Sequence, residues 1–252
     1  MNLRSRHGSR FPRAFSLIEL MVVVGLITAL VAFTGVALSG RGGDGVALSN
    51  AQVTLTGLVG ATRAQAALHQ TSARLIIYAN QPPATNADSN KYLRALQVVR
   101  AETTATGATV WVAAGNSVIL PAPICIVPAT PVPANHLKLP AGQTWNNNAA
   151  TGPVSTLTTL NSFGYSGQSS APGRAAVTQY FGAAGSGRVL YIEFDSTGTV
   201  VSNTSTNPTK IALTTAILAP NVLPQFNNAS AVRGLFVRKS GAISLVNDAT
   251  AF

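Results

Sequence analysis

Residues Phe15 to Leu38 form a predominantly apolar run of 24 residues in which Glu19 is the only ionisable side chain. As a helix at ~1.5 Å per residue it is ~36 Å long, enough to cross a ~30 Å hydrocarbon core with some tilt. A lipid-embedded segment must satisfy its own backbone polar groups, so the run is predicted to be a transmembrane helix. Arg4, Arg6, Arg10 and Arg13 precede it without an acid, and only Arg41 stands just beyond it. That bias predicts a cytoplasmic N-terminus, with the rest of the chain outside. A basic head before an apolar run also describes a secretory signal peptide. This run exceeds the ~7–15 residues of such an h-region, and no small-residue A-x-A site closes it cleanly. Glu19 is harder to place, because a carboxylate at mid-bilayer costs roughly 2.5–3.5 kcal/mol. It lies four residues into the run, roughly 6 Å deep, where snorkelling to the headgroups is one reading. A functional carboxylate is the other.

Ala14-Phe15-Ser16-Leu17-Ile18-Glu19-Leu20-Met21-Val22-Val23-Val24 resembles the prepilin signature of type IV pilins and type II secretion pseudopilins. That pattern has a small residue, then Phe, then an apolar run with Glu fifth. The resemblance covers about twenty residues and implies that a membrane prepilin peptidase cuts between Ala14 and Phe15 and methylates the new amine of Phe15. One departure is Ala14, where the family usually has Gly. The resemblance also implies a use for Glu19. A buried amine at Phe15 needs a partner, and Glu19 of a neighbouring subunit would supply it, penalising wrong stagger. Glu19 would then be an assembly register. The implied partners are the peptidase, other pilin or pseudopilin subunits and an inner-membrane assembly platform. The implied location is a single-pass inner-membrane protein with a periplasmic head, later part of a filament.

The expected organisation is a leader over 1–14, a transmembrane helix over 15–38, a Gly-rich joint over 39–45, an amphipathic helix over 46–71 and a β-rich head over 72–252. The joint rests on four glycines in the six residues from Gly40 to Gly45. They could cradle a phosphate, but no strand precedes them and no Lys-Ser/Thr follows. Helical character resumes with Leu48, Leu55, Leu58, Val59 and Ala66 at helix-like spacings. The small residues Ala61, Ala64, Ala66 and Ala67 suit close docking on a sheet. Strands are predicted at Leu75–Tyr78, Tyr92–Arg100, Val110–Val112, Val118–Leu120, Arg188–Phe194 and Lys210–Leu218. A hairpin is predicted from Val232 to Val246, closed by Lys239-Ser240-Gly241 with glycine where φ > 0 is wanted. Residues 121–173 hold eight of the 14 prolines and one charged residue, Lys138, and read as a long loop. The fold class expected is α+β, a long N-terminal helix packed on an antiparallel β-rich, pilin-like head. The pattern from Tyr191 through Gly198, Lys210–Leu213, Leu235–Val237 and Gly241–Ile243 resembles the C-terminal sheet of H-class minor pseudopilins (GspH/FimT-like). Lys91–Val99 and Trp111–Pro121 are similar to the pilin-like cassette protein D group.

Charge and motifs narrow the function classes. Only 10% of the 252 residues are charged and 46% are apolar. Without the leader, thirteen basic face seven acidic groups, net +6. Cys125 is the only cysteine, so no disulfide forms within the chain, and its apolar neighbours predict a buried thiol. His7, His69 and His136 have no carboxylate or cysteine at ligand spacing, so neither a metal nor another cofactor is expected. Nucleophile-elbow and HExxH patterns are absent. Glu193 and Asp195 share a strand face and could pair as acids, but a solvated strand end and a turn explain them without catalysis. The expectation is a structural subunit, not an enzyme. The alternative is a DNA-binding minor pilin, with Arg233, Arg238 and Lys239 contacting phosphates and Phe236 stacking a base. Edge charges at a hairpin tip give the plain reading of the same residues.

Overall fold

The structure is a computed structural model and describes residues 21, 42–80, 90–127, 155–164, 186–217, 225–226 and 231–252. The chain divides into two compact units, Met1–Gly43 and Asp44–Phe252. The second holds one long helix packed on antiparallel β-sheets, an α+β arrangement.

Helix α1 spans Gly42–His69. Its buried residues are Leu48, Ala51, Gln52, Leu55, Val59, Thr62 and Ala66, steps of mostly three and four that draw one straight stripe. Asp44 in the first turn complements the positive end of the helix dipole. The helix stops where Gln70 turns left-handed, at φ 52°, and the Thr71 N–H donates back to the Ala66 carbonyl at 3.2 Å. Helix already occupies Gly42, Gly43 and Gly45, so α1 starts four residues before the predicted Val46; residues 39–41 lie outside the described residues.

Among the described residues eleven strands follow: β1 (Ala73–Tyr78), β2 (Ala95–Thr103), β3 (Thr109–Ala113), β4 (Val118–Ile119), β5 (Ile124–Ile126), β6 (Thr158–Gly164), β7 (Ser186–Phe194), β8 (Thr209–Ile217), β9 (Gln225–Phe226), β10 (Val232–Val237) and β11 (Ile243–Val246). One sheet runs β3-β2-β1-β7-β6 with β4 also on β2; the other runs β11-β10-β8-β5 with β9 also on β8. Leu55 and Val59 from α1, Leu75 and Ile77 from β1, Ile192 and Phe194 from β7, and Leu213, Leu235 and Val237 from the second sheet join one buried cluster. Each such side chain contributes roughly 1.5–3 kcal/mol by leaving water. Gln52 ties helix to sheet, its amide donating to the Gly234 and Val246 carbonyls at 2.8 and 3.1 Å.

The predicted strands and hairpin are present, with Gly241 at φ +79° in the hairpin loop. Two expectations need correction. Within 121–173, β5 and β6 are strands, not loop. Proline flanks hid β5: Pro123 stands just before it, where only its carbonyl is used, accepting from the Ala216 N–H at 2.8 Å. And of the small residues assigned to the sheet-facing side of α1, only Ala66 is buried, while Ala61, Ala64 and Ala67 face solvent.

Candidate functional site

That second correction defines the site. At ~100° per residue, Val46, Asn50, Val53, Gly57, Ala61, Ala64 and Leu68 all fall within about 50° of the direction opposite the buried stripe. Val46, Val53 and Leu68 are 62, 66 and 74% exposed. No residue on this line is charged. A surface helix ordinarily turns charged and polar residues outward, but apart from Asn50 this outward line is apolar or small for ~33 Å.

The glycines sharpen the anomaly. Gly57 and Gly60 are inside the helix, each less favourable there than Ala by roughly 0.8–1 kcal/mol. A Cβ at either would meet no atom within 4 Å. Nothing in the head uses their missing side chains.

Ala14, Phe15 and Glu19 lie outside the described residues, as does the 15–38 span apart from Met21, which is helical and exposed. Among the described residues no helix is long and apolar enough to cross a membrane.

The basic hairpin residues are split by geometry. Arg233 is half-buried within β10, whereas Arg238 lies just past the end of that strand. Arg238 and Lys239 are exposed, at the hairpin tip. Phe236 is half-buried, edge-on to Phe252 at 5.5 Å between ring centroids, with the Lys210 ammonium 5.4 Å from its centroid. Arg63, which sequence spacing did not single out, lies against Gly241 and Gly198, both with positive φ. No sequence signal could have brought it there, because the meeting spans helix, turn and hairpin.

The remaining chemistry-bearing groups are held in the fold. The Arg74 Nε donates to Glu193 at 2.8 Å, and the Arg74 guanidinium stacks 3.8 Å from Trp111 and 4.5 Å from Tyr191. Asp195 is not paired with Glu193. Its carboxylate accepts from the Thr197 hydroxyl and the Thr197 and Thr199 N–H groups, which hold its pKa below the usual range. Cys125 is buried on β5, and burial pushes its thiol up to about 12. Arg94 is buried too, donating to the Leu120 carbonyl at 3.1 and 2.6 Å and to the Asn90 carbonyl at 3.2 Å; desolvation lowers its pKa. His69 accepts from Arg100, while His7 and His136 lie outside the described residues. Among the described residues no three His, Cys, Asp or Glu side chains gather as metal ligands.

No protein-family model, curated protein or solved structure matches the chain.

Proposed function

We propose that this chain is a pilin-like structural subunit, cut between Ala14 and Phe15 and assembled by its N-terminal helix into a type II secretion pseudopilus or type IV pilus-like filament. The prepilin-like signature at residues 14–24 supplies the processing step. The observation that carries assembly is the uncharged outer face of α1. A helix whose core-facing side is already satisfied gains nothing in water from a second apolar side. Packed against other copies it gains burial along its whole length, and Gly57 and Gly60 let backbones approach closely. Glu19 keeps the register role, pairing with the Phe15 amine of a neighbour. The Arg63, Arg238 and Lys239 tip supports the DNA-uptake alternative less well, because Arg233 is half-buried within β10 and Phe236 is already packed.

Cross-linking tests the assembly. Cys125 is buried, so single cysteines at Val53, Ala61 or Arg63 report on the helix surface alone. In cells carrying the filament apparatus, Val53→Cys and Ala61→Cys should give oxidised dimers, and Arg63→Cys, toward the head's own turns, should not. Uniformly monomeric Val53→Cys and Ala61→Cys protein would overturn the proposal.

A further inference from the structure

Away from α1, a cleft of about 480 Å³ opens beside the start of β8, lined by Thr156, Asn203, Ser205, Asn207, Pro208 and Lys210. The size lies within the roughly 300–1,000 Å³ of small-molecule sites. Its loop wall holds itself in place. The Asn203 amide donates to the Asn207 carbonyl at 3.2 Å and to the Thr209 hydroxyl at 3.3 Å, and its carbonyl oxygen accepts from the Ser205 N–H at 2.9 Å. The Thr158 hydroxyl anchors the start of that loop through the Ser202 carbonyl at 2.8 Å.

What remains uncommitted is mostly donor capacity. The Ser205 oxygen accepts from the Asn207 N–H at 3.1 Å and the Thr156 oxygen from the Lys210 N–H at 2.7 Å, leaving both hydroxyl protons to donate. The Asn207 carboxamide is exposed and makes no hydrogen bond to the described residues. Lys210, the one charged residue among the described lining residues, donates to the Ala251 carbonyl at 2.7 Å and rests over the Phe236 ring, two uncharged partners. Among the described residues no carboxylate lines the cleft. One ammonium, two hydroxyls and a carboxamide around a volume larger than a single ion match a ligand with one negative charge and several hydroxyls. Pro208 offers an apolar wall for its C–H face. We propose that this cleft binds a sugar acid, its carboxylate on Lys210 and its hydroxyls on Thr156, Ser205 and Asn207.

Glucuronate is the probe, presented to the full chain in a detergent without a sugar headgroup and followed by saturation-transfer NMR at fixed ionic strength. Glucose, lacking the charge, should bind about tenfold or more weaker, as should glucuronate to Lys210→Met. Asn207→Ala, whose side chain supports nothing in the fold, should weaken glucuronate about threefold or more with an unchanged melting curve. No transfer to glucuronate, equal binding of glucose, displacement by inorganic phosphate on equal terms, or unaltered affinity in Asn207→Ala would each overturn the assignment. The cleft shares no residue with α1, so its failure leaves the assembly proposal standing.

Discussion

Replacing Gly57 and Gly60 with alanine separates stability from assembly. Each glycine sits inside α1 with open space where a Cβ would project, so neither substitution meets an obstacle in the head. Each should stabilise the helix by roughly 0.8–1 kcal/mol. For a domain of this size ~1 kcal/mol corresponds to about 2–4 °C, so the double variant should melt about 4–8 °C higher. Circular dichroism of the detergent-solubilised full chain reads that gain. In the proposed filament the sign should reverse. Two methyl groups on the face opposite the core hold neighbouring backbones apart, and incorporation beside wild-type subunits should drop. A double variant that is no more stable than wild type would refute the description of α1. One that is more stable and incorporates equally would refute its outer face as the packing surface.

Gly234→Ala should cost about 3 kcal/mol or more, read from the urea midpoint, because its Cβ would overlap the Ile211 carbonyl oxygen and crowd Phe252. Arg94→Met should destabilise by about 1–3 kcal/mol in the same assay, since it removes the donors that satisfy the buried Leu120 carbonyl. Cys125 gives a pH signature: unfolded chains ionise near 9, while the buried thiol stays neutral to about 12. The unfolded state therefore holds fewer protons across that window, and stability falls as pH rises through it, by up to ~1.4 kcal/mol per unit. Cys125→Ala should remove that part of the slope in denaturation at pH 8 to 11, and an unchanged slope would contradict the buried thiol.

The sheets were legible because alternation has a period of two and burial enforces it. Leu190, Ile192 and Phe194 read as one face of a strand and are buried as one. The phase of α1 was not legible. With few charges and with apolar or small residues on two opposite sides, periodicity marks a helix without saying which side faces the core, and alanine gains little either way. The stripe is set by Leu48, Leu55 and Val59, and Ala61 and Ala64 follow on the far side by geometry alone. The short β5 was masked by prolines whose carbonyls still pair. Arg233 and Arg238 differ because β10 ends at Val237, between them, a boundary that the sequence pattern did not fix. What brings Arg63 to the hairpin tip is tertiary packing, which leaves no local trace.

The central claim, that the chain is processed and polymerised as a pilin-like subunit, rests most directly on its mature N-terminus. Intact-mass spectrometry of protein recovered from sheared filaments, after expression with a prepilin peptidase and the assembly machinery, reads it in one step. The account predicts a chain that begins at a methylated Phe15, shorter by residues 1–14. A filament-borne chain that still carries Met1 to Ala14, or filaments from which the chain is absent although it is cut in the membrane, would contradict it.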